Sequence, residues 1–359
     1  MSKAAELAKM GEVLTNSQIG GRRNIILNPK MEVAQRGTSA FSITTAGNTY
    51  TLDRWRANAS GGGQFSVQQD SNSPTGFINS SKVTVTTADS SIGSSDFYHF
   101  RQTIEGYNFA PLGFGASGAK TMTLSFYVRS SVTGTYNILF RNNAGNRGYL
   151  TTYIINSADT WEQKIIVVEG DVTGTYPTDN TGSLIISYSF GGNATGTINQ
   201  WGTAIDEKSS GTVDLIATGS ATWYITGVQL EIGSYSNGTP FEHRSFGEEE
   251  LLCQRYYYQS SDNLAGGVAQ GSMWCGENIN TSECFGSGMN FPVIMRATPT
   301  VTIFDNVGNS GAAHMLGTAD VSGVAAQGIN RQGFSKLFKS GGLTDERQLG
   351  AQYKADAEL

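Results

Sequence analysis

Charge is scarce in this chain: Asp, Glu, Lys and Arg make up 15% of its 359 residues, where an ordinary globular domain carries about a quarter. The balance is acidic, with 24 basic and 30 acidic side chains and a formal net charge of −6. The densest basic stretches, Arg22-Arg23 and Lys336 to Lys339, are too short to form the stripe that a nucleic-acid partner requires, so no nucleic acid is expected. Cysteine is nearly absent. Cys253, Cys275 and Cys284 are an odd count in a long chain, which excludes a disulfide scaffold. Cys275 and Cys284 can pair only if their strands are neighbours. A zinc site built from the three with His243 lacks the CxxC-type spacing it needs. No run approaches a membrane span, so no membrane insertion is expected, and Met1 to Gly11 has no continuous apolar core of the signal-peptide kind.

What the chain has instead is turn-formers and β-formers. There are 45 glycines, with Ser, Thr and Asn throughout, a composition that favours short strands and frequent loops over helices. Hydrophobic residues at 38% and aromatics at 10% supply enough apolar surface to fold. The length suits two or three domains.

The pattern along the chain predicts an all-β protein: a jelly-roll β-sandwich followed by a short helix and a smaller C-terminal β-module, with a short N-terminal anchor peptide. Residues 1–23 are set apart. Ser2 caps a short helix bearing Ala4, Leu7, Ala8 and Leu14, and Asn16, Gly20 and Gly21 break it. Isolated helices this short are marginal in water, so the peptide reads as an anchor that orders against a partner or sister chains. Residues 24–245 read as the sandwich. Met122, Leu124, Phe126 and Val128 alternate with Thr, Ser, Tyr127 and Arg129, the pattern of a half-buried antiparallel strand. Tyr136, Ile138 and Phe140 repeat it, as do Leu184, Ile186, Tyr188 and Phe190; Lys164 to Val168 and the pair Val83 and Val85 add two more. Many short strands between turn clusters indicate a sandwich or jelly roll. Within 222–231 the apolar phase switches from Trp223 and Ile225 to Val228 and Leu230, and Gly227 at the switch predicts a β-bulge.

Ser245 followed by Glu248 fits a capping box for a connecting helix over 246–258. Its expected apolar stripe is Leu251, Leu252 and Arg255 to Tyr256. Residues 259–359 read as the C-terminal β-module, with Pro299 to Phe304 as a strand.

No residue qualifies as catalytic, cofactor-binding or metal-binding. A glycan-cleaving enzyme needs two carboxylates about 5–10 Å apart across a cleft; Asp53, Glu105, Asp171 and Asp179 are available, with nothing to pair them. Asp53 beside Arg54 reads as a turn or ion-pair residue. His99, His243 and His314 are isolated, and no nucleophile elbow, phosphate loop or metal motif is present. For glycan binding the aromatics Tyr127 (beside Arg129), Tyr256 to Tyr258 and Trp274 are possibilities, and none is singled out as a ligand-binding residue. The expectation is a non-enzyme without cofactors.

Five segments carry a likeness to known proteins: 21–28 with 33–37, 52–55 (Leu-Asp-Arg-Trp), 160–164 (Thr-Trp-Glu-Gln-Lys), 222–257, and the closing 353–359. Together they resemble fibre and appendage proteins of tailed bacteriophages, marine ones especially, along nearly the whole chain. The resemblance implies a virion-surface structural protein, a tail fibre or appendage contributing to host-surface glycan recognition. It implies attachment to other virion proteins through residues 1–23, and a homotrimer assembled in the bacterial cytoplasm. A capsid-attached head fibre or decoration protein is the alternative, and a glycan depolymerase a lesser one. The central domain also resembles carbohydrate-binding jelly rolls, which often hold a structural calcium with acidic residues near the first and last strands. Glu32 matches the first contributor, but Thr226 and Gly227 stand where such modules carry aspartates, and a hard cation wants several oxygens.

Overall fold

The alternating segment around 124 is β7 (Met122–Ser130), and its four alternating apolar side chains, Met122, Leu124, Phe126 and Val128, are completely buried in a computed structural model of the chain. The structure describes Lys3 and residues 22–44, 49–193, 195–261, 274–278, 283–285, 289–315, 320–339 and 348–359; for 274–278, 283–285, 315 and 348 it describes the backbone alone. The anchor peptide and its Ser2-capped helix thus lie outside the described residues, apart from Lys3, Arg22 and Arg23. The chain divides into two units, one running to Ser245 and the other from Phe246 onward. Gln35–Gly37 groups with the second unit, a departure from a contiguous 24–245 domain.

The first unit is a two-layered antiparallel sandwich. One sheet has the order β1 (Phe41–Ile43), β4 (Gln64–Asp70), β5 (Ser80–Thr87), β13 (Thr222–Ile232), β7, β10 (Glu162–Val168). The other runs β12 (Trp201–Gly202), β9 (Gly148–Ile155), β8 (Gly134–Asn142), β11 (Gly182–Gly192), β6 (Phe97–Glu105), β3 (Trp55–Ser60), β2 (Thr49–Tyr50). Successive strands cross repeatedly between the layers, the jelly-roll habit. The inner faces meet in an aromatic core: Trp223 lies 5.0 Å from Phe190 and 5.5 Å from Tyr188, and Trp55 stacks on Phe100 at 5.1 Å. Each of these rings contributes about 2–3 kcal/mol by leaving water.

The predicted bulge is present. The β13–β7 register shifts between Thr226 and Gln229, and Gly227 has φ 60°, a conformation that costs a side chain about 1–2 kcal/mol. The extra residue lets Trp223 and Ile225 on one side of the shift, and Val228 and Leu230 on the other, all reach the core with no exposure.

The second unit is built around the C-terminal strand Gln348–Asp356. It pairs with Tyr257–Gln259, Trp274–Asn278, Thr300–Phe304 and Ala312–Met315. Tyr353, Phe334, Phe291, Met295 and Leu337 form its core. The connecting helix is shorter than 246–258: it spans Phe246–Gln254. Tyr257 and Tyr258 leave it because their backbone pairs with Ala355 and Asp356, and bulky aromatics suit that pleated setting. The expected Leu251 stripe also fails, since Leu251 is half exposed and the buried positions are Glu249 and Cys253. Cys253 is buried and forms no disulfide. The strands of Cys275 and Cys284 are neighbours, but the register sets Cys284 opposite Asn278, three residues from Cys275.

Candidate functional site

Three of the distinctive segments, 21–28 with 33–37, 52–55 and 222–257, contribute residues to one structural clasp. Past the bulge, β13 exchanges hydrogen bonds with the chain before β1: Ile25 N donates to Leu230 O (2.9 Å) and Val228 N to Pro29 O (3.0 Å). Asn24 braces this pairing, its Oδ1 accepting from Ile26 N and Leu230 N and its Nδ2 donating to Val228 O. Asn28, at φ 51°, donates to Val33 O (2.8 Å) and Asp53 O (3.0 Å) and accepts from Val33 N (3.0 Å). Trp55 Nε1 donates to Asn28 O (3.1 Å), and Arg244 Nη2 to Asn24 O (2.6 Å) and Ile26 O (3.0 Å). These buried groups satisfy backbone that no sheet ladder reaches.

Glu32, the residue matched to a calcium ligand, is held by Lys30 Nζ at 2.7 Å. Lys30 is buried, and its ammonium also donates to Arg244 O (3.2 Å). One carboxylate neutralised by a resident cation is a poor donor set for calcium, so the residues here do not fit that ion.

On the other side of the bulge, β13 presents a different surface. Alternation turns Tyr224 outward between its cross-strand partners Lys82 of β5 and Arg129 of β7. The Arg129 guanidinium lies 4.8 Å from the Tyr224 ring centre and Lys82 Nζ 5.6 Å from it, both at cation–π range. Arg129 is fixed by Asp159, through Nε to the carbonyl and Nη2 to Oδ1, both 2.9 Å. Trp161 meets the edge of Tyr224 at 6.1 Å and donates its Nε1 to Asn72 Oδ1 (2.9 Å). Tyr127, opposite Thr226, continues the aromatic surface to Phe77 at 5.4 Å, then to Phe241 and His243. Tyr224 is buried, whereas Trp161, Tyr127, Phe77 and Phe241 are half-buried and His243 is exposed.

The loop before β10 that carries Asp159 and Trp161 is held by Glu162. Its carboxylate accepts from Asn156 N, Asn156 Nδ2 and Ser157 N at 2.8–2.9 Å and from Lys164 Nζ at 2.6 Å. Burial would raise the Glu162 pKa, but the Lys164 ammonium and the amide donors outweigh it and hold the carboxyl down at about 2.

The four candidate carboxylates have structural roles or environments. Asp171 binds Arg147 through two contacts (2.8 and 2.6 Å) and accepts from the Tyr176 hydroxyl at 2.9 Å. Asp179 caps the turn at Thr181. Asp53 and Glu105 are buried; Asp53 lies in the turn ahead of β3, next to Arg54 at φ 68°. His314 Nδ1 contacts Asp320 Oδ1 at 2.6 Å. His99 is buried on the outer side of β6, stacked on Phe97, and burial keeps its imidazole neutral, well below the usual range. No group of three or more His, Cys, Asp and Glu suited to a metal occurs among the described residues.

Of the aromatics noted from sequence, Tyr127 joins the outward-facing group. Tyr256 and Tyr257 are buried, with the Arg36 guanidinium 3.5 Å from the Tyr257 ring centre, and Tyr258 lies against Tyr353. The side chain of Trp274 lies outside the described residues. Tyr224, Phe77 and Asn72 were not anticipated. The outward phase of Tyr224, opposite the buried Trp223 and Ile225, was the one available signal.

No protein-family model matches the chain, and no curated protein matches it. Among solved structures, similarity is found to the enzymatically active domain of tailspike protein 4 from bacteriophage CBA120, with 13% identity and a TM-score of 0.32, covering 58% of this chain and 21% of that one. A family 11 carbohydrate-binding module from Clostridium thermocellum, in complex with a β-1,3-1,4-mixed-linked tetrasaccharide, is similar at 12% identity and a TM-score of 0.30. It is covered completely and matches 57% of this chain. A third, TmCBM61 in complex with β-1,4-galactotriose, has 10% identity and a TM-score of 0.30, with 59% of this chain and 99% of that chain covered.

Proposed function

We propose that this chain is a non-catalytic appendage protein of a tailed-phage virion that recognises glycan on the host surface. The observation that carries the glycan reading is the row Trp161, Tyr224, Tyr127 and Phe77 on the outer face of the first sheet, edged by Asn72, Lys82, Arg129 and Asp159. Pyranose rings have apolar C–H faces and hydroxyl rims. An aromatic row that is half-exposed at Trp161, Tyr127 and Phe77 around the buried Tyr224, with fixed hydrogen-bonding groups along its edge, complements both. The structural roles of Asp171 and Asp179 and the burial of Asp53 and Glu105 support a binding rather than a cleaving protein. The virion setting rests on the sequence resemblance of the five segments above. Weak single sites suffice there, because several copies on one particle raise avidity by about 10²–10⁴.

Binding of the purified chain to host-surface polysaccharide tests this, with Trp161→Ala as the control. The expected result is saturable binding without release of new reducing ends, and a loss of about tenfold or more in the variant. New reducing ends, or binding indifferent to Trp161, would count against it. Deleting residues 1–23 is expected to abolish incorporation into particles, and labelling intact virions distinguishes tail from head attachment.

A further inference from the structure

Leu139 of β8 and its cross-strand partner Leu150 of β9 are buried, yet they stand apart from the aromatic core. Alternation turns them to the outer face of the seven-stranded sheet, where a strap, 195–214, covers them. The strap is held at many points. Asn199 N donates to Leu150 O (2.7 Å), Gly196 N to Lys208 O (2.9 Å) and Val213 N to Thr135 O (2.8 Å). Asn199 Oδ1 accepts from Thr151 Oγ1 (2.7 Å), and Trp201 pairs with Tyr149. Close approach demands glycine here: a Cβ on Gly196 would run into Leu150, and one on Gly148 would stand 2.6 Å from Ala204 O.

Between 196 and 206 the strap and the start of β9 enclose an open hollow of about 230 Å³. Drug-sized ligands occupy about 300–1,000 Å³, so this one suits a single sugar ring. Thr197, Gln200, Thr203 and Asp206 line it, together with Leu150 and the side-chain-free backbone of Gly148, Gly196 and Gly202. The polar lining is uncommitted. Asp206 Oδ1 accepts from Thr195 Oγ1 (2.9 Å). Its Oδ2 and the side chains of Thr197, Gln200 and Thr203 have no hydrogen-bond partner among the described residues. No Lys or Arg is among the described residues that line the hollow, so Asp206 sets its charge. An anion is repelled there, whereas neighbouring hydroxyls can donate to a carboxylate and accept from an amide at once.

We propose that this hollow is a second glycan site, on the sandwich face opposite the aromatic row, and that it takes one neutral pyranose at the end of a chain. Asp206 Oδ2 and Gln200 grip adjacent hydroxyls, the threonine hydroxyls reach the remainder, and Leu150 offers an apolar patch to the ring. Because the strap bounds the hollow, one ring enters and the chain that carries it leaves toward solvent. The proposal rests on the glycan reading above for its ligand class alone, since none of its residues belongs to the row. Two sites on opposite faces let one copy hold two glycan chains, which adds to the avidity that several copies provide.

The test follows the amide resonances of the full chain during titration with the methyl glycosides of glucose, galactose and mannose and with galacturonate. Wild type, Gln200→Ala, Asp206→Asn and Trp161→Ala are compared. The expected result is saturable shifts at Gly148, Gly196 and Gly202 with at least one neutral glycoside and none with galacturonate. Affinity should fall about tenfold in Gln200→Ala and in Asp206→Asn, each of which weakens a hydrogen bond to the sugar, and stay unchanged in Trp161→Ala. Gln200 is exposed, so its replacement leaves the fold intact, which the rest of the spectrum checks. Equal binding of galacturonate, or affinity unmoved by both pocket variants, overturns the site. Shifts lost in Trp161→Ala also overturn it, since the two sites would then be one. No shift at the three glycines, while polysaccharide binding still depends on Trp161, overturns the pocket and leaves the glycan reading standing. Binding of neither glycoside nor polysaccharide removes both.

Discussion

The two halves of β13 show how one strand serves two purposes. Before Gly227, residues 222–226 pair on both sides with regular strands and turn Tyr224 outward beneath Lys82 and Arg129. After it, residues 228–231 pair on one side with the irregular 24–30 segment and belong to the buried clasp. The first half turns one ring outward, under the partly exposed charges of Lys82 and Arg129; the second hides nearly every polar atom it has. Three of the five distinctive segments meet in the clasp, whose job is to close the fold, while the face best suited to a ligand holds one, the short 160–164 with Trp161 and Glu162. In a β-sandwich a strand's buried irregularities demand particular side chains, whereas its outer face tolerates many, so recognisable patterns mark architecture before they mark recognition.

Breaking the clasp should give the largest effect. Asn28→Ala removes three hydrogen bonds and leaves Val33 N, Val33 O and Asp53 O to find new partners in a dry setting. At about 1–3 kcal/mol for each group left unsatisfied, the expected loss is about 3–5 kcal/mol of stability in urea unfolding, with glycan affinity of the remaining folded protein unchanged. Gly227→Ala should come next and affect both halves. Its Cβ would lie 2.6 Å from Phe77 and 3.0 Å from Tyr127, and the left-handed backbone adds about 1–2 kcal/mol. About 2–3 kcal/mol of destabilisation together with weakened binding is expected. Loss of stability with no change in binding would mean that Phe77 and Tyr127 do not belong to the site. Trp161→Ala reverses the pattern: a half-exposed ring whose loss costs less than about 1 kcal/mol of stability yet lowers glycan affinity about tenfold. An unfolding shift as large as that of Asn28→Ala would dissolve the distinction between the two halves.

These contrasts also explain what the sequence could and could not reveal. Strands with clean alternation, such as β7, β8 and β11, were legible because one face of each meets the core, and the Gly227 bulge was legible because the apolar phase changes across it. The end of the connecting helix was not, because Tyr257 and Tyr258 are drawn into a sheet by Ala355 and Asp356, about a hundred residues away. The centrality of the C-terminal strand was hidden for the same reason. The aromatic face was only half legible. Tyr127 and Arg129 could be read as outward from their own strand, but Asn72 and Trp161 are brought together only by the fold. Leu150, Gln200 and Asp206 are spread along the chain, and only the return of the strap over β9 gathers them round one hollow.

The smallest expected effect concerns pH, and it isolates the aromatic half. Glu162 has its folded pKa depressed to about 2 from an ordinary 4.5, so its contribution is complete above about pH 4.5 and is lost as pH falls through the folded value. The carboxylate ties Asn156, Ser157 and Lys164 around the loop that presents Trp161, whereas the carboxylate–ammonium contact of the clasp side, Glu32 with Lys30, lies on the far side of the bulge. Trp161 fluorescence, taken as the difference from a Trp161→Phe protein, should therefore hold steady from pH 7 to 5 and change between about pH 4.5 and 2. In Glu162→Gln the low-pH signal should already be present at pH 7, since the amide cannot take the charge that Lys164 and the amide donors are arranged to hold. A midpoint above pH 5 in the wild type would mean that a different group governs the loop.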